Sequence, residues 1–169
     1  MKLVTRLALL AIVLLAWCAV ARPAAGPAQV RLTPDEALVV GLINSERKER
    51  NQEALLIDPV LVAVARRHSE DMARRQYFSH LAPPPEPRTP LDRYAAALGR
   101  PPKTVVGENI ARADEPVMGM IHNGMMASPD HKANILDAEY VSLGVGIYAM
   151  DDGRVWVTQM LRGELPKTR

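Results

Sequence analysis

The chain has 169 residues, with 21 lysines and arginines against 19 aspartates and glutamates, one cysteine and seven aromatic residues (two Trp, four Tyr and one Phe). This length suits a single domain. The balanced charge and the few aromatic side chains exclude the basic surface of a nucleic-acid-binding protein. No polybasic stretch predicts attraction to an anionic membrane either.

The first 21 residues have the pattern of a secretory signal peptide. Lys2 and Arg6 form a basic head, an uninterrupted apolar run follows from Leu7, and Ala19-Val20-Ala21 provides a small-residue cleavage site. The run is shorter than the roughly 20 residues that a membrane-spanning helix needs. Cleavage after Ala21 removes two basic and no acidic residues, so the predicted mature charge is 19 − 19 = 0.

Cys18 raises one alternative for the N-terminus. The sequence Leu15-Ala16-Trp17-Cys18 loosely resembles a bacterial lipobox, which would leave the cysteine as a lipid-anchored first residue. A lipobox prefers a small residue immediately before the cysteine, and Trp17 is large. We therefore favour cleavage near Ala21, which predicts a secreted, extracellular or periplasmic chain without any cysteine.

The predicted domain covers residues 33–163, between a Pro- and Ala-rich flexible leader at 22–32 and a short tail at 164–169. Thr33, Pro34 and Glu36 form a capping-box pattern, which predicts a first helix from Pro34 to about Glu49. A second helix begins at Asp58-Pro59, and its apolar stripe includes His68. We interpret His68 as a hydrogen-bonded core histidine rather than a ligand.

The rest of the chain alternates shorter elements. Thr89-Pro90 predicts a third helix that stops at Gly99, residues 105–110 predict a strand, and residues 114–127 predict a fourth helix. Ser128-Pro129 caps a last helical turn, and Asp152-Gly153 predicts a hairpin between two alternating strands. This order predicts an α+β layered domain with a small antiparallel sheet.

Three polar segments, at 78–80, 107–110 and 128–136, lie at the boundaries of these elements, where a scaffold can present side chains into a groove. They contribute His80, Glu108 and His131. Two imidazoles and a carboxylate suit a divalent ion such as zinc. A histidine oriented by Glu108 would alternatively serve as a general base. The histidines are far apart in sequence, so no local metal-binding spacing decides between the two.

Further polar residues in these segments have supporting or structural roles in our interpretation. Asn109 and Asn134 are as suited to bracing loops as to binding. Asp130 is a candidate second acid, and the hydroxyl of Ser128 is expected to cap the following helix. His122 stands in no motif and is expected to be exposed or structural.

Five motifs in order resemble the CAP, or SCP-like, superfamily of cysteine-rich secretory proteins, antigen 5 and pathogenesis-related proteins. The motifs are Tyr77-Phe78-Ser79-His80, Val106-Gly107-Glu108-Asn109-Ile110-Ala111, Ser128-Pro129-Asp130-His131-Lys132-Ala133-Asn134-Ile135-Leu136, Leu143-Gly144-Val145-Gly146 and Trp156-Val157-Thr158-Gln159. The resemblance is greatest to the compact, cysteine-free bacterial branch and extends from about Asp35 to Gly163.

The resemblance implies an α-β-α sandwich around a three-stranded antiparallel sheet. It also implies a cleft where two histidines and two acidic residues meet in many members. His80, Glu108 and His131 match three of those positions. The fourth acid has no clear match, and Asp130 is the candidate to replace it.

Two functions follow as hypotheses. The favoured one is a secreted binding module, most simply a monomer, whose cleft holds a small lipid-like or glycan ligand or a divalent metal, or contacts an extracellular protein. It requires no cofactor. The alternative is a metal-dependent or His/Glu-assisted hydrolase, in which His80 or His131, oriented by Glu108, activates water or a serine such as Ser79 or Ser128. Because no G-x-S-x-G element is present, the sequence does not favour an enzyme.

Overall fold

The structure is a computed structural model that describes residues 30–165. The predicted signal peptide, Cys18 and most of the predicted leader and tail lie outside the described residues. Among the helices between Val30 and Leu165, none has the length and apolar character needed to cross a membrane.

Nine elements make up the described part of the chain. The helices are α1 (Pro34–Lys48), α2 (Pro59–Arg74), α3 (Pro90–Leu98), α4 (Met118–Ala127) and α5 (Pro129–Leu136). The strands are β1 (Leu56–Ile57), β2 (Thr104–Ala113), β3 (Tyr140–Ala149) and β4 (Val155–Glu164).

The first three helices begin where their capping residues predict. Thr33 and Glu36 form a reciprocal capping box at α1, and the Asp58 carboxylate accepts from the first backbone amides of α2. Thr89 caps α3 in the same manner as Thr33 caps α1. Helix α3 ends at Gly99, whose φ of +67° is a left-handed conformation that glycine adopts without strain. The sequence prediction is confirmed for these elements.

The sheet has the strand order β1-β3-β4-β2. Strands β3 and β4 form the predicted hairpin, and β2 pairs antiparallel with β4, which gives the expected three antiparallel strands. The fourth strand, β1, is a two-residue addition parallel to β3. It was missed because a two-residue strand leaves no period-two pattern.

The start of one helix and the cap of another differ from the prediction. Helix α4 begins at Met118 rather than at Asp114, because β2 continues to Ala113 and the next residues turn between the two elements. Its N-cap, Val117, makes no side-chain capping bond. The hydroxyl of Ser128 likewise makes no capping bond at α5, so its predicted capping role is wrong.

Helices cover both faces of the sheet, as in an α-β-α sandwich. Helix α2 packs on one face of β3 and β4, with α3 against it, and α1, α4 and α5 pack on the other face. Gly144 and Gly146 allow α2 to approach β3, because a Cβ on either glycine would overlap the α2 backbone. Leu143 and Val145, which alternate with them, enter the core on the opposite side.

The two faces of β2 are equally distinct. Ile110 packs against Met72 of α2, whereas Ala111 packs into the core beneath α1 and α4. Because side chains alternate along a strand, Glu108 belongs to the α2 side and Asn109 to the α5 side. These two adjacent motif residues therefore lie on opposite faces of the sheet and contact different helical layers.

Candidate functional site

Glu108 is the centre of a buried polar cluster on the α2 side of β2. Its Oε1 lies 2.8 Å from Nδ1 of His80. Its Oε2 accepts a hydrogen bond of 2.5 Å from the guanidinium of Arg93 on α3. Both oxygens of the carboxylate are thus occupied, and the side chains of Glu108 and Arg93 are almost fully buried. A charge-assisted pair of this kind is stronger than a neutral hydrogen bond.

Arg93 also organises the loop that carries His80. Its other terminal nitrogen donates to the backbone carbonyls of His80 and Arg88, each at 3.1 Å. One buried guanidinium therefore joins β2 to both ends of the proline-rich loop. His80 itself is half exposed, so the cluster holds one ring nitrogen and leaves the rest of the imidazole at the surface.

His68 of α2 completes the inner side of the cluster. Its ring Nε2 lies 3.1 Å from the carbonyl oxygen of Ser79 and 3.8 Å from Oε1 of Glu108. The hydroxyl of Tyr77 lies 3.5 Å from its Nδ1 and donates to Asp71 at 2.5 Å. The prediction of a buried, hydrogen-bonded histidine is confirmed, and the structure adds its proximity to Glu108.

Burial lowers the pKa values of the two histidines that lie near this cluster, His68 and His131. The pKa of His68 lies below its ordinary value because burial disfavours the imidazolium, and Glu108 only partly offsets this effect. The pKa of His131 is also lowered, first by burial and then by its proximity to His80. Two neutral imidazoles at neutral pH are the consequence.

Asn109 forms a second network on the α5 side of the strand. Its amide nitrogen donates to the His131 carbonyl and to Oε1 of Gln159, both at 3.1 Å. Its oxygen accepts from Asn134 at 2.8 Å, and Asn134 also reaches the Glu108 carbonyl at 3.4 Å. These bonds attach α5 to the sheet. They support the bracing interpretation of Asn109 and Asn134.

The structure brings the three predicted cleft residues into one neighbourhood without joining all three. His80 and Glu108 are in direct contact, and His131 is close enough to His80 for the two imidazoles to interact electrostatically. His131 is held through its backbone carbonyl, and its ring does not bond to Glu108. Asp130 is exposed at the start of α5, where its charge partly offsets the lowered pKa of His131.

The cluster does not fit a metal site that includes Glu108. Arg93 and His80 occupy the two carboxylate oxygens, and a guanidinium beside them opposes a second cation. Between residues 30 and 165 no group of three or more His, Cys, Asp or Glu side chains is placed to hold a metal ion. We derive no metal chemistry from this arrangement.

An open apolar groove begins beside His131 and follows the outer edge of β2. We call it the edge groove; its volume is about 660 Å³. It is lined by Phe78, Ile110, Ala111, Arg112, Ala113, Asp114, Glu115, Val117, Met120, Ile121, Gly124, Met125, Ser128 and His131. Phe78 is 50% exposed and Met120 is 71% exposed. Clustered large apolar side chains at a surface mark binding sites more often than scattered ones do.

Sequence reasoning missed Arg93, the position of His68 beside Glu108, and the edge groove. Arg93 lies in a helix with no motif, and its partner is distant in sequence, so no local pattern revealed the pair. Met118 and Met125 are buried in the core. His122 is buried, so of its two predicted roles the exposed one is wrong.

Comparison with known proteins gives matches at the family and fold levels. Residues 40–161 match the family model described as CAP, cysteine-rich secretory protein family. The uncharacterized protein YkwD of Bacillus subtilis (strain 168) is 33% identical over 126 residues, which cover 75% of this chain and 46% of that protein. The chain thus spans about half the length of this relative.

Two solved structures share the fold. An extracellular protein containing an SCP domain from Bacillus anthracis str. Ames is 28% identical, with a TM-score of 0.66 over 80% of this chain and 45% of that one. An outer surface protein from Borrelia burgdorferi superposes with a TM-score of 0.69 over 80% and 97% of the two chains, at 18% identity. Family model, relative and folds agree with the five motifs: the chain belongs to the CAP family of cysteine-rich secretory proteins, in its compact, cysteine-poor bacterial form.

Proposed function

We propose that this CAP-domain protein is an extracellular binding module whose edge groove holds a small amphipathic, lipid-like ligand. The observation that carries the proposal is the exposure of Phe78, Val117 and Met120 along one groove. Its volume of about 660 Å³ is typical of small-molecule sites, which are mostly apolar with a few polar groups. The predicted signal peptide and the extracellular SCP-domain protein that it resembles support secretion.

The groove offers different chemistry along its length. Phe78 and Met120 provide apolar surface that a hydrocarbon chain would remove from water, a gain of roughly 25 cal/mol for each Å² buried. His131 and Ser128 provide polar groups at one end, where an imidazole or a hydroxyl would meet the ligand's head group. The lining favours a lipid-like ligand over a glycan, because most of its side chains are apolar.

In this proposal the polar cluster around Glu108 holds the segments that carry the groove residues in place. Arg93 and Glu108 hold the loop that carries His80 and Phe78, and Asn109 holds the turn of α5 that carries His131. The hydrolase alternative has no comparable support. Within residues 30–165 neither the Ser79 nor the Ser128 hydroxyl bonds to an imidazole, and the Ser79 oxygen accepts the amide of Leu81.

Titration with the fluorescent fatty acid cis-parinaric acid tests the proposal. We expect saturable binding that Met120→Arg reduces at least tenfold, because a charge would then lie across the apolar wall. Leu56→Arg is the matched control: Leu56 is 72% exposed, as Met120 is 71% exposed, and it lies on β1 at the opposite edge of the sheet. Equal binding by wild type and both variants would disprove the assignment of the groove.

A zinc titration separates the metal hypothesis from the lipid one. The variants are His80→Ala and His131→Ala, and the measurements are thermal stability and calorimetry. Zinc binding that both substitutions abolish would favour a metal-binding module instead. The same thermal response to zinc in all three proteins would remove that hypothesis.

A further inference from the structure

The floor of the edge groove is the free edge of a β-strand. In the order β1-β3-β4-β2, strand β2 is terminal and pairs only with β4 within the described residues 30–165. Residues 110–113 of β2 line the groove, and Met120 and Ile121 of α4 form one wall. A terminal strand presents unpaired amide and carbonyl groups along its outer side, which makes it a template for another chain.

The strand register shows which backbone amides and carbonyls of β2 face away from β4, toward the free edge of the sheet. The amide of Asp58 donates to the carbonyl of Leu143, so the backbone of Leu143 faces β1 and turns away from β4. Leu143 is opposite Leu161 of β4, which is opposite Gly107 of β2. Because antiparallel pairs alternate between bonded and non-bonded, Leu161 and Gly107 bond to each other.

The same alternation continues along β2. After Gly107, the backbone amide and carbonyl of each residue face alternately the free edge and β4. Those of Glu108, Ile110 and Arg112 therefore face the free edge. The Glu108 carbonyl accepts from Asn134. In the part of the chain that the structure describes, the hydrogen bonds between elements and from side chains leave the amides and carbonyls of Ile110 and Arg112 without partners. Both residues line the groove, Ile110 with 5% of its surface exposed.

The side chain of Arg112 is engaged elsewhere. Its guanidinium lies 5.4 Å from the ring centre of Trp156 and 3.8 Å from Asp114. What Arg112 offers to the groove is therefore its main chain. Donor and acceptor pairs repeat at every second residue, about 6.8 Å apart. An extended polypeptide has backbone donors and acceptors at the same spacing, whereas a fatty acid or a glycan does not.

We propose that the edge groove receives an extended peptide, which adds a strand to β2 at Ile110 and Arg112. The inference rests on the proposed binding function, since it uses the same groove, and it names a second ligand class with its own chemistry. Alternate side chains of the peptide would lie against Met120 and Ile121, so apolar residues at every second position are preferred. Main-chain bonds supply affinity and the apolar wall supplies selectivity, as in strand addition generally.

The test uses two substitutions at one position. Arg112→Pro removes the outward amide but no bond to β4, and proline is tolerated on the outer side of a terminal strand. Arg112→Ala also loses the guanidinium and keeps the amide, so it is the matched control. Equal thermal midpoints for the two variants show that the fold is retained. Met120→Arg blocks the wall instead of the edge.

The probe is a pool of end-blocked heptapeptides that alternate Val, Leu or Phe with Ser, Thr or Lys, selected on the protein and identified by mass spectrometry. We expect wild type and Arg112→Ala to retain the same peptides. We expect Arg112→Pro to bind them with roughly tenfold lower affinity, because a tenfold loss corresponds to about the free energy of one buried hydrogen bond. Methylation of alternate peptide amides should abolish binding, and methylation of the intervening amides should not.

Three results would overturn the inference: no peptide retained by wild type, equal retention by Arg112→Pro and Arg112→Ala, or self-association through β2 in place of peptide binding. Fatty-acid binding is measured on the same variants. If Met120→Arg abolishes it and Arg112→Pro does not, the groove function stands while the peptide inference fails. If Met120→Arg affects neither ligand, both proposals fail.

Discussion

Glu108 and Arg112 lie four residues apart on β2, in surroundings of opposite character. Around Glu108 both carboxylate oxygens have hydrogen-bond partners, and the bonds join three elements. Around Arg112 the strand edge is open and the nearby wall is exposed methionine and phenylalanine. The motif residues therefore hold the scaffold together. The surface available for binding begins at motif residues such as Phe78 and His131 and continues along parts of β2 and α4 that contain no motif.

The largest effect is expected from breaking the buried ion pair. Arg93→Met leaves the Glu108 carboxylate buried without its guanidinium partner and should lower the free energy of unfolding by about 3–5 kcal/mol. Urea denaturation measures this loss. The double variant Arg93→Met with Glu108→Gln should recover much of it, because no unpaired charge remains. A loss below about 1 kcal/mol in the single variant would show that the pair does not support the fold.

A smaller loss is expected on the other side of the strand. Asn109→Ala removes the bonds to the His131 carbonyl, Gln159 and Asn134, and should cost about 1–3 kcal/mol. Asn134→Ala removes one partner near the surface and should cost less. Denaturation of the two single variants and the double variant measures their coupling. Additive losses would mean that the network does not act as a unit.

The next effect depends on pH and concerns α4, the wall of the groove. His122 is buried, its two ring nitrogens lack hydrogen bonds within the described chain, and its Nε2 lies 3.9 Å from Glu46. Burial lowers the pKa of His122 from its ordinary value of 6.5, and Glu46 only partly offsets this. Below pH 6.5 the unfolded chain therefore binds more protons, and stability falls as the pH falls.

His122→Leu should remove this contribution. We expect the variant to lose less stability than wild type between about pH 7 and 5, the difference in slope being at most about 1.4 kcal/mol per pH unit for one proton. His68 and His131 titrate in the same direction, so part of the slope should persist. Parallel stability curves for the two proteins would contradict the assignment to His122.

Sequence information was sufficient where the determinants were local. Thr33, Asp58 and Thr89 each define a helix start within three residues, and the hairpin follows from alternation around Asp152-Gly153. The motifs also indicated the contact between His80 and Glu108. Features that depend on distant partners were not predictable in this way. Arg93 pairs across two layers, and the free edge of β2 exists only because β4 lies between β2 and β3.

The smallest effect on stability should accompany a clear effect on binding. Met120→Gln keeps the helix propensity of α4 and changes a side chain that is 71% exposed, so the free energy of unfolding should change by less than about 0.5 kcal/mol. Affinity for cis-parinaric acid should still fall about fivefold, because a buried methionine contact is worth about 1 kcal/mol or more. Leu56→Gln should leave both quantities unchanged. If Met120→Gln instead destabilises the fold as much as Asn109→Ala does, the wall of the groove is part of the core. The proposed division between a hydrogen-bonded scaffold around Glu108 and a free binding surface around Arg112 would then be wrong.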